Sequence, residues 1–322
     1  MNLRFGAFLA QVVDYPRLLD DAKFAEGLGL DNIWVADHFA WSPLPDMPML
    51  EAWTTLAALS AQTKTVRLGP LVSNVATRNP AMLAKQILTV DQISGGRLDV
   101  GLGAGFFKRE HESIGLDFLD GPGRADRFRE AVEILDRALR GEHVTYAGMF
   151  YRLDDAPLHP APTQRPRPPL WLAAQGPRSL QLVARRGDAL VTMGEGTTDQ
   201  SLAAFRDRVS KLESICREVG RDPLSIPRCF LGGEGEERIF ESDDSLTDFI
   251  GRFAEAGATD FAFALNNPAQ PHTASTVTNY TAATRDKLER AAATIFPRFK
   301  QAIATPADAD PHYERSGDRQ RS

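Results

Sequence analysis

Eight times along this chain a short apolar run gives way to a pattern of helical period, and few folds are open to a sequence that does so. The runs lie near 4–9, 32–36, 66–72, 98–102, 170–174, 189–192, 226–231 and 260–265. Each has the length and continuous apolar character of a strand buried on both faces, and a helical pattern follows it. Phe128, Val132, Leu135 and Leu139 share one helical face after the fourth run. Leu202, Phe205, Val209 and Leu212 do so after the sixth, and Leu246, Phe249, Ile250 and Phe253 after the seventh. Strand-helix alternation predicts an α/β fold with a parallel sheet, and eight units in 322 residues is the size of a TIM (β/α)8 barrel with insertions. The main insertion, 141–168 after the fourth helix pattern, holds Pro157, Pro160, Pro162, Pro166 and Pro168, so it is expected to run extended over a surface. Residues 1–304 are expected to form a single domain. The polar remainder, 305–322, has almost nothing apolar to anchor it and is expected to be a mobile tail.

The stretch 64–115 is the most heavily punctuated. Asn79-Pro80 reads as an N-cap followed by proline at the first helical position, and Leu83, Ile87 and Val90 form the stripe behind it. Ser94-Gly95-Gly96 stops that helix, and a further strand leads into Gly101, Gly103 and Gly105. Glycines at this place serve either a ligand loop or simply the turns of a βαβ unit.

Composition narrows the function. A net charge of −6 disfavours nucleic acid and anionic membranes, both of which need a basic face. No stretch approaches the ~20 apolar residues of a membrane span, and the first ten residues lack a signal-peptide pattern, so a cytoplasmic protein is expected. Cys216 and Cys229 form neither a disulfide framework nor a metal spacing, and no metal is expected.

Barrel enzymes carry their chemistry on the loops after the strands. Those loops offer Gln11; Asp37 and His38; Ser73 and Asn74; 104–107; 175–178; 193–195; 232–234; and Asn266 with Asn267. Histidine is the side chain suited to proton exchange near neutral pH, and next to His38 the Asp37 carboxylate can tune or orient it, although a structural histidine at a barrel mouth reads the same way. Gln175-Gly176-Pro177-Arg178 opens a helix whose amides could hold a phosphate, or it is an ordinary Gly-Pro helix start. Trp41, Phe106, Phe107 and Met193 suggest an apolar pocket or ordinary packing.

Several of these segments resemble one family. They are Leu68-Gly69, Arg78-Asn79-Pro80-Ala81, Ser94-Gly95-Gly96-Arg97, Gly101-Leu102-Gly103-Ala104-Gly105 and Glu110-His111. With Asn32-Ile33-Trp34-Val35-Ala36-Asp37-His38-Phe39 and the run from Pro169 to Pro177, they resemble the bacterial luciferase-like superfamily of flavin- and deazaflavin-dependent oxidoreductases. The likeness covers roughly residues 1 to 300. Asp37-His38 followed by Phe39 is similar to the branch using coenzyme F420, whereas the FMN monooxygenases tend to show Glu-His-His there. The resemblance implies hydride transfer between the deazaflavin and a small, apolar organic substrate, with His38 and Asp37 as catalytic residues. It implies cofactor contacts at Leu71, Val72, Ser73, Ala104, Gly105, Ala173, Ala174, Gln175, Gly176, Pro177 and Arg178, with phosphate near the last three. A bulge with a cis non-prolyl bond is implied between Pro70 and Ser73. His111 is expected to be structural. Sugar-phosphate dehydrogenases of this branch carry a glutamate where this chain has Phe106, and cations where it has Met193-Gly194-Glu195-Gly196, so a sugar phosphate is disfavoured and Trp41, Phe106, Phe107 and Met193 point to an apolar substrate. A homodimer is usual for the family. An FMN-dependent monooxygenase and a non-catalytic flavin-binding protein remain the alternatives.

Overall fold

The computed structural model describes residues 3–40, 48–194, 196–232, 239–265 and 283–301. The chain runs β1 (Arg4–Leu9), α1 (Tyr15–Gly27), β2 (Asn32–Val35), α2 (Ala52–Gln62), β3 (Arg67–Pro70), β4 (Ser73–Asn74) and α3 (Pro80–Ser94). It continues through β5 (Val100–Gly103), α4 (Lys108–Ser113), α5 (Gly121–Leu139), β6 (Val144–Ala147), β7 (Arg152–Ala156), β8 (Leu170–Ala173) and α6 (Pro177–Arg186). Then come β9 (Ala189–Met193), α7 (Thr198–Glu218), β10 (Arg228–Gly232), α8 (Asp243–Glu255), β11 (Asp260–Ala264) and two helices, Arg285–Thr294 and Phe296–Gln301.

Nine of these strands form one sheet in the order β3-β2-β1-β11-β10-β9-β8-β5-β4, with every neighbouring pair parallel. The two ends of that order belong to one barrel strand. β3 pairs with β2 and β4 pairs with β5, and the Leu71–Val72 peptide bond between them is cis, within the segment where the resemblance puts such a bond. The ring closes through Leu68 and Leu98: the Leu68 N–H donates to Arg97 O at 2.9 Å, and the Asp99 N–H donates to Leu68 O at 2.8 Å. The architecture is therefore the expected parallel barrel wrapped by helices.

Local chemistry starts and stops the helices as the sequence implies. Asn79 accepts the Ala81 N–H in front of Pro80, and Gly95 ends α3 at φ 65°, a left-handed conformation that glycine adopts without penalty. The apolar stripes then pack outside the sheet, where Phe128, Leu135, Phe205, Leu212, Phe249 and Phe253 are all buried. Inside the barrel lies a second cluster that includes Phe8, Trp34, Leu71, Trp171, Val191 and Leu231. A polar layer lies at the strands' N-terminal ends. Arg4 Nε lies 2.5 Å from Asp260, and Asp99 accepts from Asn32 Nδ2 at 2.6 Å and from Arg67 Nη2 at 2.6 Å. Burial pushes the Asp260 carboxyl above its ordinary range, against the pull of Arg4. These charged groups face one another at the end opposite the loops that follow the strands.

One expectation needs correction. The insertion is not uniformly extended, because 144–156 folds into the antiparallel hairpin β6–β7 before the prolines begin at Pro157. Glu130 accepts the N–H groups of Met149, Phe150 and Tyr151 and so fixes its turn. The proline-rich part that follows is tied to α3 by Asp91, which accepts the Thr163 N–H at 2.6 Å. Close packing needs several of the glycines on these strands. A Cβ at Gly101 would stand 2.0 Å from Pro70 O, one at Gly69 2.0 Å from Asp99 O, and one at Gly103 2.6 Å from a Val72 methyl. No side chain fits at Gly69 or Gly101, where the backbones of β3 and the β5 segment approach one another. The tail expected at 305–322 lies outside the described residues.

Candidate active site

At the C-terminal ends of the barrel strands, Ala10, Met49, Val72, Ala173 and Met193 are half-buried and pack against the interior cluster. They make a floor of mostly small side chains above Trp34 and Trp171, whose rings meet edge to face at 5.1 Å. Gln11 fixes one side of that floor. Its side chain accepts from the Ala36 N–H at 2.9 Å and donates to Ala36 O at 2.7 Å, holding the end of β2 from which Asp37 and His38 project.

Asp37 and His38 turn to different partners. Asp37 is buried, and Arg78 grips both of its oxygens, Nη1 to Oδ2 at 2.6 Å and Nη2 to Oδ1 at 2.9 Å. Ser73 donates its hydroxyl to the same carboxylate at 2.5 Å and accepts from Trp53 Nε1 at 3.1 Å. Arg78 Nη2 also reaches Glu51 at 2.6 Å. Burial lowers the Arg78 pKa, but Asp37 and Glu51 more than offset it, and the net direction is upward. This network ties β2, β4 and the starts of α2 and α3 together. Asp37 is thus buried and anchored, with Arg78 on both of its oxygens and the Ser73 hydroxyl on one.

His38 is paired across 72 residues with Glu110. Its Nδ1 lies 3.2 Å from Glu110 Oε2, and the other carboxylate oxygen accepts the backbone N–H of Phe39. The histidine side chain is 22% exposed and the glutamate only 3%. Burial raises the Glu110 pKa, but the hydrogen bonds and charge of His38 outweigh it and hold the carboxyl below its ordinary range. The ring of His38 stands 5.1 Å from Phe107 and 6.2 Å from Phe106, whose own rings are 4.0 Å apart. Phe106 is 56% exposed, so an apolar face opens to solvent beside the imidazole. His111 is buried with Nδ1 2.8 Å from Phe107 O, beneath Gly105 at φ 77°, where an added Cβ would stand 2.7 Å from the ring. That is a structural place.

The remaining expected residues divide. Leu71 lines the barrel interior, Val72 and Ala173 belong to the floor, Ala174 is buried, and Ala104 is half-buried against the outer core. Gln175 and Pro177 are exposed around Gly176, the N-cap of α6, and a Cβ on Gly176 would meet nothing within 4 Å. Arg178 is exposed and reaches Asp126 on α5 at 3.3 Å. Ser73 is buried with its hydroxyl committed to Asp37 and Trp53. Trp41, and with it Glu195, the loop at 233–234, Asn266 and Asn267, lies outside the described residues. Among the described residues no three His, Cys, Asp or Glu side chains gather as a metal site, and no helix is long and apolar enough to cross a membrane.

A parallel eight-spoked barrel that presents an imidazole, a buried carboxylate and an apolar face on its C-terminal loops has the build of a barrel enzyme. The chain belongs to the luciferase-like monooxygenase family, whose profile matches residues 3–295. It is 33% identical over 201 residues to a 5,10-methylenetetrahydromethanopterin reductase of Archaeoglobus fulgidus, covering 62% of this chain and 56% of that one. It is 31% identical over 215 residues to an F420-dependent glucose-6-phosphate dehydrogenase of Amycolatopsis mediterranei, covering 63% and 62%. The match thus spans less than two thirds of the length of these relatives. Among solved structures, an F420-dependent secondary alcohol dehydrogenase in complex with an F420-acetone adduct superposes with a TM-score of 0.72 at 23% identity, covering 82% of this chain and 93% of the other. The coenzyme F420-dependent tetrahydromethanopterin reductase from Methanopyrus kandleri superposes at 0.73 and 19%, covering 93% and 100%. These two likenesses establish the fold.

Proposed function

We propose that this protein is a coenzyme F420-dependent oxidoreductase that moves hydride between the deazaflavin and a small apolar organic substrate, with His38 exchanging the accompanying proton. One observation carries the reading: the half-buried imidazole, held at Nδ1 by Glu110, stands beside Phe106 and Phe107 at the mouth of a barrel floored by small side chains. The names of the relatives support the choice of cofactor. The site residues fit such a group. Leu71, Val72 and Ser73 would lie behind a ring set on the floor, with Ala104, Gly105, Ala173 and Ala174 flanking it. Gln175, Gly176, Pro177 and Arg178 would meet its phosphate, where the N-terminus of α6 favours negative charge and the open space over Gly176 lets backbone approach. When bound, the deazaflavin supplies the two-electron hydride chemistry.

The chain's own part is to exclude water and handle the proton. In the alcohol-to-carbonyl direction His38 would take the hydroxyl proton as the hydride leaves carbon, and in the reverse direction it would return it. Phe106, Phe107 and Met193, with Trp41 assigned to the same pocket by this reading, would favour an apolar substrate. Asp37 would act from behind as the anchor of the loop that carries His38. The same reading has the protein working as a cytoplasmic homodimer.

Titration with F420 and with FMN, read by quenching of Trp34 and Trp171 beneath the floor, tests the cofactor. Tighter binding of F420 is expected, and a clear preference for FMN would replace the proposal with a flavin monooxygenase. A panel of secondary alcohols and small ketones then tests the reaction. His38→Ala is expected to lower turnover by about 10² to 10⁴, and full turnover in a stable, F420-saturated variant would remove His38 from the chemistry. Tight binding of either cofactor without turnover on any substrate would indicate a binding protein.

A further inference from the structure

We propose that Glu110 is the positioning residue of this site, fixing which nitrogen of His38 carries the proton. The proposal deepens the reading of His38 given above, but its first test is independent of the cofactor. Two nitrogens converge on one carboxylate: His38 Nδ1 at 3.2 Å from Oε2, and the Phe39 backbone N–H on the other oxygen. The Glu110 side chain is 3% exposed, and a carboxylate so far from solvent remains ionised only when both oxygens are satisfied. An ionised carboxylate can only accept. It therefore holds the imidazole proton on Nδ1 and leaves the lone pair of the neutral ring on Nε2, the nitrogen a substrate proton would use. Asp37 is engaged elsewhere, by Arg78 on both oxygens and by the Ser73 hydroxyl on Oδ2.

Position in the fold adds a second reason. Glu110 sits on α4, directly after Phe106 and Phe107, the rings that flank His38. One short element thus sets both the tautomer of the imidazole and the apolar wall beside it. The backbone bond to Phe39 fixes the segment that leaves His38, so the ring is held from its side chain and from its own main chain together.

An amide in place of the carboxylate makes a sharp test. Glu110→Gln has one oxygen for two donors. If that oxygen takes the Phe39 N–H, the amide NH2 faces His38 Nδ1 and forces the proton to Nε2, the opposite tautomer. Nitrogen-15 NMR of histidine-labelled, cofactor-free protein distinguishes the two tautomers, and His38→Gln assigns the His38 signal among the six histidines. With the neutral ring observed, the native protein is expected to show the proton on Nδ1, Glu110→Gln on Nε2, and Glu110→Asp, which retains two acceptor oxygens, on Nδ1 again. A native His38 protonated on Nε2, or a Glu110→Gln protein with the native tautomer, overturns the proposal. Should Glu110→Gln fail to fold, the native and Glu110→Asp spectra still decide it, since either one showing the proton on Nε2 refutes the assignment.

With F420 and a confirmed substrate, Glu110→Gln is expected to lower kcat roughly 10²-fold while KM moves less than about threefold, and Glu110→Asp to recover most of the loss. Equal loss in both variants would mark Glu110 as mere packing and overturn the positioning role. If the native protein turns over nothing with F420 while the tautomers behave as stated, the functional reading has failed and the role of Glu110 stands.

Discussion

Replacing Asp37 tests whether the network behind His38 holds the mouth of the barrel together. Asp37 and Arg78 are 6% and 14% exposed at their side chains and share two hydrogen bonds of 2.6 and 2.9 Å. Removing one partner of a buried pair leaves the other charge uncompensated, at about 3–5 kcal/mol. The two sides are unequal. Without Asp37, Arg78 keeps Glu51 at 2.6 Å, whereas without Arg78 the Asp37 carboxylate keeps, among the described residues, the Ser73 hydroxyl. Asp37→Ala should therefore fall at the lower end, about 3 kcal/mol, and Arg78→Met nearer 5. With about 2.1 cal/mol/K of unfolding entropy per residue over 322 residues, 3 kcal/mol lowers Tm by about 4 °C. Urea denaturation of both single variants and the double variant supplies the cycle. The double variant should be less destabilised than the sum of the singles by about 2 kcal/mol or more, as for groups in direct contact. Additivity within about 0.5 kcal/mol would refute the anchor role, and so would an Asp37→Ala protein as stable as the native one.

Gly101→Ala, whose Cβ would stand 2.0 Å from a backbone carbonyl that cannot step aside cheaply, should cost more than about 3 kcal/mol or prevent folding, and a Tm equal to the native value would contradict the close approach of β3 and β5. A Cβ at Gly176 would meet nothing within 4 Å, so the Tm of Gly176→Leu should stay near native while its F420 affinity falls at least about tenfold; unchanged affinity would move the phosphate elsewhere. The carboxyls of Glu110 and Asp136 are held below their ordinary range, in each case by partner groups that outweigh the opposing effect of burial. A depressed folded pKa contributes stability that is complete above the unfolded value of about 4 and is lost as pH falls through the folded one, so urea midpoints should be level above about pH 5 and decline below about 4. Asp260, pushed upward by burial, works in the opposite sense and softens that decline. A midpoint that rises on acidification would refute the assignment of Glu110 and Asp136.

The sequence by itself determined the barrel. Its eight apolar runs fall within a few residues of the strands, and Asn79-Pro80 and Gly95 cap α3 as their chemistry implies. Those signals are local: side-chain period, proline's fixed φ and glycine's freedom act over a few residues and survive in one dimension. The hairpin at 144–156 was less legible, because its turn is fixed by Glu130, a residue on the preceding helix. The mouth of the barrel was read in part. Asp37 and His38 are adjacent in the chain and so looked like a pair, yet the fold sends one to Arg78 and the other to Glu110, partners 41 and 72 positions away. Both partners stood within recognisable motifs, but nothing in the order of residues says which carboxylate meets which cation. Only the tertiary structure decides that, because a hydrogen bond requires donor and acceptor within about 3 Å, and that proximity is set by where the barrel brings its loops together.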